Sequence, residues 1–205
     1  MKKLLIYDFD GVLVNSNFLK KNTIKNVCLK YFKGSDDLLD ELMLKDGWTR
    51  YSLISEMVKI FNKELSYKEK ILGEINDKLD QDMLFVEKVV LPSKKLKDTY
   101  QVIVSASCDK SINKLVSTYQ WSYFFDKIYG SPRTKMQIIT DEINLKLYNE
   151  IILIGDSISD YNIAQKIQAE FIGIYSWSSE PEKINNLETK KYISLQKYFD
   201  KTYEK

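Results

Sequence analysis

The sequence predicts an α/β protein whose core is a parallel sheet covered by helices, and three observations carry that prediction. Short apolar runs recur along the chain and end in small or acidic polar residues. Helical patterns separate most of them, as strand-helix-strand crossovers demand. One long stretch between the first run and Pro92 has helical periodicity instead, which marks an all-helical insertion.

Residues 4–9 form an apolar run closed by acids, the pattern of a strand buried on both faces. Residues 101–104 repeat it and end in Ser105-Ala106-Ser107; residues 150–154 end in Gly155-Asp156-Ser157; residues 171–175 end in Ser176. Helices are expected over residues 111–119, 135–143 and 159–168, and the Lys-rich end beyond Glu180 is expected to add a last strand or helix with a frayed tail. Within the insertion, residues 17–32 place Leu19, Ile24, Val27 and Tyr31 on one helical stripe, and residues 51–61 place Leu53, Ile54, Met57, Val58 and Phe61 on another. Ser35 and Ser66 read as N-caps, the latter with Glu69 completing a capping box. No buried-strand run comes before Phe85-Val86, so the insertion holds about four helices. Together these elements read as a Rossmann-like parallel sheet core of residues 1–15 and 91–205 interrupted by a helical domain of residues 16–90.

Composition narrows the chemistry. The 205 residues include no His, which excludes a Ser-His-Asp or Cys-His nucleophile, a His-ligated zinc site and imidazole acid-base catalysis. A chain of this length buries roughly 70% of its unfolded surface and so holds a real core. Lys and Arg (31) nearly balance Asp and Glu (29), so the net charge of +2 predicts no general attraction to nucleic acid or to an anionic membrane. Cys28 and Cys108 are too few for a disulfide framework and read as reduced thiols of a cytoplasmic protein. The apolar start is cut short by Asp8 and Asp10, so it does not read as a signal peptide. No run approaches the roughly 18 apolar residues of a membrane span, and a soluble protein is expected.

Asp8-Phe9-Asp10-Gly11 places two carboxylates two residues apart just beyond a buried strand, where alternate residues of an extended chain face the same way. Such a pair is costly unless a cation offsets it, and magnesium, which takes oxygen ligands, would do so. Asp156 and Asp160, four residues apart at another strand end, supply further acids to one side of a helix N-terminus. Ser105 offers a hydroxyl at a third strand end, and Lys135 a cation at a helix start after the turn Gly130-Ser131-Pro132. Lys127 and Arg133 compete with Lys135 for the cationic role. In a parallel sheet all of these lie at one edge.

This ordered set resembles the haloacid dehalogenase-like hydrolase superfamily over nearly the whole chain. The first motif is Asp8-Phe9-Asp10-Gly11-Val12-Leu13-Val14, the second Ser105, the third Lys135, and the fourth Gly155-Asp156-Ser157-Ile158-Ser159-Asp160. The stretch Phe124-Phe125-Asp126-Lys127-Ile128-Tyr129-Gly130-Ser131 resembles the phosphoglycolate phosphatase and β-phosphoglucomutase branch. The resemblance implies a phosphatase with Asp8 as nucleophile forming an aspartyl-phosphate and Asp10 as acid-base. It implies Mg²⁺ held by Asp8, the carbonyl of Asp10, and Asp156, with Asp160 as a direct or indirect partner. Phosphate oxygens would be held by Ser105 and Lys135 and by the N–H groups of Phe9 and Ala106.

By the same resemblance the helical insertion is a cap domain that excludes water and selects the leaving group. Gly47, Trp48 and Arg50 fall at the position of its specificity loop. The expected substrate is a small phosphorylated metabolite such as a sugar, polyol or organic-acid phosphate, and the expected state a monomer or weak homodimer. The rivals are a phosphomutase on the same scaffold and a catalytically silent binding module. Asp10 disfavours a dehalogenase, and no cap Lys aligns for a phosphonate hydrolase. Asn15-Ser16 stands where many members carry Asp-Ser, and Ser16 is placed to cap the first inserted helix.

Overall fold

The computed structural model describes residues 2–45 and 48–203. They separate into two compact units, one of residues 1–17 and 86–205, the other of residues 18–85.

In the first unit, six strands among the described residues form one sheet in the order β3-β2-β1-β4-β5-β6, every neighbouring pair parallel. The strands are β1 (Lys3–Tyr7), β2 (Thr99–Cys108), β3 (Lys127–Ser131), β4 (Glu150–Gly155), β5 (Glu170–Ile174) and β6 (Lys190–Tyr192). The apolar run of β1 has no polar face because it lies between β2 and β4 with both faces covered. Leu4 and Ile6 meet Ile138 and Ile139 of α6 (Lys135–Glu142) and Ala164 of α7 (Ile158–Lys166). On the other face Tyr7 packs edge-on against Phe125, 5.5 Å between centroids, and beside Phe199 of α9 (Leu195–Tyr203). The remaining helices of this unit are α5 (Asp109–Thr118) and the short α8 (Pro181–Asn185). The aromatic run after α5 fills this core through Trp121, Phe124 and Phe125, while Tyr123 is exposed.

The order places a switch point at β1 and β4. From β1 the later strands β2 and β3 lie to one side, and β4, β5 and β6 to the other. Crossovers diverge there and leave a crevice at the carboxyl ends of the strands.

The second unit contains α1 (Asn17–Tyr31) from Phe18 onward, α2 (Asp36–Leu44), α3 (Arg50–Ile60), α4 (Leu65–Asp82) and a 3-10 turn at Met83–Phe85. Its core joins Ile24, Val27 and Phe32 to Leu39, Leu53, Ile54, Met57, Ile71 and Ile75, with Tyr31 and Phe61 partly buried against it, so the two stripes read from the sequence face inward except at Leu19, which is half-buried and outside this core.

The local readings need several corrections. β2 runs to Cys108, so Ser105 lies within the strand. Its register against β3 shifts between Val104 and Cys108, at the Ser105-Ala106-Ser107 segment. β3 was not expected as a strand, because its run Lys127-Ile128-Tyr129 is short and lies at the sheet edge; Gly130 and Ser131 close it and are not a turn. Phe85 is 88% exposed in the 3-10 turn, so Phe85-Val86 opens no buried strand. Ser66 sits inside α4, whose N-cap is Glu64; Ser35 does hold the N-cap position of α2, but its hydroxyl donates back to the Phe32 carbonyl and makes no side-chain cap bond. Among the described residues the capping boxes are Thr49 with Ser52 and Thr134 with Gln137.

Candidate active site

β1 delivers the first two acids. Tyr7, the last residue of β1, stands in register with Ile103 and Ile154, so Asp8 follows directly beyond the strand while its N–H still donates to the Ile154 carbonyl at 2.9 Å. The chain then turns through Gly11 at φ +75°, a conformation that costs a residue with a Cβ. A Cβ on Gly11 would also stand 2.1 Å from an Asp156 carboxylate oxygen. The turn therefore needs glycine on two grounds, and it brings the β1 loop against the β4 loop.

β4 delivers the next two acids. Ser157 caps α7, its hydroxyl accepting from the Asp160 N–H at 3.2 Å and donating to Asp160 Oδ2 at 2.6 Å. Gly155 lets Asp160 fold back over the strand end, since a Cβ there would lie 2.4 Å from the Asp160 Cβ. Asp156 accepts from the Asn17 side-chain amide at 2.8 Å, and its main-chain carbonyl accepts from the Ser178 hydroxyl at 2.5 Å.

Lys135 arrives from the side of β3. Thr134 caps α6 by accepting from the Gln137 N–H, and Gln137 accepts in return from the Thr134 N–H at 2.9 Å. This fixes the first helical residue, and the Lys135 ammonium reaches Asp8 at 2.9 Å and Asp160 at 2.6 Å. Its competitors stand elsewhere: Arg133 pairs with Glu142, and Lys127 is an exposed residue at the start of β3.

Asp8, Asp156 and Asp160 are all buried, and one oxygen of each lies within 4.8 Å of the others. Burial, then the charges of Asp160 and Asp10, push the Asp8 carboxyl up to about 7 against the opposing pull of Lys135. Asp156 is raised for the same first reason, burial, with Asp8 and Asp160 adding to it. For Lys135 burial acts downward, but Asp160 and Asp8 outweigh it and hold the ammonium above its ordinary value. Three carboxylates around one ammonium leave an excess of negative charge in a buried place. The donors are all oxygens of hard ligands, which suits Mg²⁺ or a similar divalent cation.

The Asp10 carboxylate is not in that triplet. Oδ1 accepts from Ser16 at 2.5 Å and Oδ2 from Ser107 at 2.6 Å. The Ser16 hydroxyl is thus turned to Asp10, a role other than the helix cap read from the sequence. Ser105 is buried and accepts from the Ser107 N–H at 3.1 Å; Ala106 is exposed beside it. The Phe9 N–H donates to Asp8 Oδ1 at 2.7 Å, so it already faces the carboxylate oxygen.

Of the insertion residues, Gly47 lies outside the described residues. Trp48 packs against the core of the helical unit, and the Arg50 guanidinium lies 5.3 Å from the Tyr51 ring centroid. Sequence reading assigned Asn17 and Thr134 no place in the site, and Ser107 and Ser157, though they stand in the strand-end clusters, no role of their own. Thr134-x-x-Gln137 and Ser157-x-x-Asp160 carry helix-start spacing that was legible. Asn17 and Ser107 carried no signal, because their partners are 139 and 97 residues away.

The comparisons agree with this geometry. A haloacid dehalogenase-like hydrolase family model matches residues 5–174. A search of curated proteins gives no match. Among solved structures, the chain is similar to a presumed phosphoglycolate phosphatase from Lactobacillus plantarum, with a TM-score of 0.70, 16% identity and 98% and 99% of the two chains covered. It is similar to a haloacid dehalogenase-like protein of unknown function from Agrobacterium tumefaciens, with a TM-score of 0.69, 17% identity and coverage of 100% and 98%. A presumed β-phosphoglucomutase from Thermotoga maritima gives a TM-score of 0.68 at 14% identity, covering 100% and 99%. At these identities the likeness is one of fold. With the family model running from within β1 to the end of β5 and over the strand ends that carry the acids, the chain belongs to the haloacid dehalogenase-like hydrolases.

Proposed function

We propose that this hydrolase is a Mg²⁺-dependent phosphatase of a small phosphorylated metabolite, working through an aspartyl-phosphate on Asp8. The observation that supports it is the pairing of a buried Asp8 with Lys135 at the mouth of the β1–β4 crevice, beside the two further buried carboxylates Asp156 and Asp160. The all-oxygen, negatively charged cluster fits a divalent cation, which the Asp8 and Asp156 carboxylates would hold, with the Asp10 carbonyl added as the family resemblance implies, while Asp160 is tied to Lys135. Such a cation, when bound, offsets charge on these carboxylates and on the phosphoryl oxygens.

The chain's own residues supply the rest. Asp8 attacks phosphorus, and the leaving oxygen departs with a proton from Asp10, so one displacement becomes two easier ones. Water then attacks the aspartyl-phosphate, Asp10 takes its proton, and inorganic phosphate and free Asp8 are released. Hydroxyls both donate and accept, so Ser16 and Ser107 can hold the Asp10 carboxyl in its acid and its base form. Lys135 offsets charge on Asp8 and on a transferred phosphoryl oxygen, and Ser105, which accepts from the Ser107 N–H, can donate to another. None of these steps calls on the histidine the sequence lacks.

The test is phosphate release from p-nitrophenyl phosphate in Mg²⁺, followed by a panel of phosphorylated metabolites. Turnover that is lost in EDTA and lost in Asp8→Asn is the expected result. Full activity of Asp8→Asn would overturn the mechanism, and conversion of a sugar phosphate to its isomer without free phosphate would make the chain a mutase.

A further inference from the structure

We propose that Asn17 is a positioning residue that sets the Asp156 carboxylate for the divalent cation. The inference rests on the metal-dependent reading above and concerns a residue outside the four motifs. One side-chain nitrogen of Asn17 donates to Asp156 Oδ2 at 2.8 Å and to the main-chain carbonyl of Trp177 at 2.9 Å. It therefore joins the start of α1 to the loop after β4 and the loop after β5.

The geometry around Asp156 leaves this contact a definite task. Gly11 borders this same contact, since a Cβ there would stand 2.1 Å from Oδ2 and 2.5 Å from the Asn17 nitrogen. The glycine turn thus leaves the room in which the amide meets Oδ2. The main chain of Asp156 is fixed separately, its carbonyl accepting from Ser178 at 2.5 Å, while Glu180 accepts from the Ile158 N–H at 3.3 Å. Removing the amide leaves the Ser178 and Glu180 contacts in place and frees the Asp156 carboxylate to rotate, together with the Trp177 carbonyl that the same nitrogen holds. Asn17 also lacks a charge, so it satisfies one lone pair of a buried acid without competing with the cation for the site as a lysine would.

A ligand held in orientation matters more to Mg²⁺ than to Ca²⁺. Magnesium demands near-ideal octahedral geometry, whereas calcium accepts flexible arrangements of more oxygens. Loss of orientation should therefore weaken Mg²⁺ selectively, while loss of general folding would weaken both.

The test measures Mg²⁺ and Ca²⁺ binding to the full chain by titration calorimetry, and the metal-dependent rise in Tm, for the wild type and Asn17→Ala. The expected result is a Mg²⁺ Kd raised on the order of tenfold, as partners of metal ligands typically give, with Ca²⁺ changed less than threefold and the metal-free Tm nearly unmoved. Equal loss for both ions, or no loss, overturns the positioning role. Should Asn17→Ala fail to fold, Asn17→Ser, whose short hydroxyl suits a helix start but falls short of Asp156, is read by the same criteria. A wild type that binds neither ion overturns the metal-dependent reading itself, an outcome distinct from an unchanged variant of a metal-binding wild type.

Discussion

Asp8 and Lys135 show how one buried contact serves two opposed demands. Asp8 must be ionised to act, yet burial and the neighbouring acids raise it to about 7, and Lys135 is what restrains the rise. Asp8→Asn removes one of the buried charges, so it should abolish p-nitrophenyl phosphate turnover by about a thousandfold or more while leaving the metal-free Tm at pH 8 equal or higher. Lys135→Ala is predicted to act in the other direction on stability. It strands Asp8 and Asp160 without their cation, a change that costs about 3–5 kcal/mol when a buried pair is broken. For a chain of this size that is a fall of roughly 10 °C in Tm, measurable by calorimetry, with turnover lost as well.

At the scale of elements, the site depends on how strands end and helices begin. Lys135 stands one residue inside a helix whose start is set by the Thr134–Gln137 capping box. Thr134→Ala should cost about 1 kcal/mol of stability, the usual worth of an N-cap. It should also raise KM more than a surface change would, because the helix start that aims the ammonium loosens; an unchanged KM with the lower Tm would confine the cap to stability. Gly155→Ala should be harsher, since the new Cβ meets the Asp160 side chain at 2.4 Å from its Cβ and 2.8 Å from Oδ2, and must displace it. Circular dichroism and turnover together read that outcome, and wild-type values of both would contradict the packing. The apolar runs of the central strands were legible because β1 and β4 are buried on both faces and need no alternation. β3 was not, because an edge strand of five residues carries too little pattern to separate it from a loop.

At the scale of the whole molecule, the carboxylate cluster makes stability a function of pH and of cation. Asp8 moves from an ordinary 3.8 to about 7 on folding, and Asp156 moves the same way. Between those values the folded state binds more protons than the unfolded one, so metal-free stability is fullest below about pH 4 as far as these groups go, and falls as pH rises through 7. A divalent cation competes with the protons, so Mg²⁺ should raise Tm more at pH 8 than at pH 5. Thermal melts in EDTA and in Mg²⁺ at both pH values check this; an equal Mg²⁺ effect at both would mean that these carboxylates are not its ligands. Among the described residues no helix is long and apolar enough to cross a membrane. The sheet is carried instead by two apolar layers, Leu4, Ile6 and Phe171 on one face and Tyr7, Phe124 and Phe199 on the other.

By itself the sequence determined the fold class, the order of the acids and the chemistries ruled out by the absence of histidine. These are one-dimensional properties: burial on both faces writes continuous apolar runs, and a strand end writes an acid or a glycine next to them. The family resemblance already favoured Lys135, but only the tertiary structure put its ammonium on Asp8, since Lys127, Arg133 and Lys135 lie within nine positions of one another and differ in where a helix start points them. It also decided what holds Asp10 and Asp156. Ser107 and Asn17 reach their acids across 97 and 139 residues, and such contacts exist only because parallel crossovers bring distant strand ends to one edge.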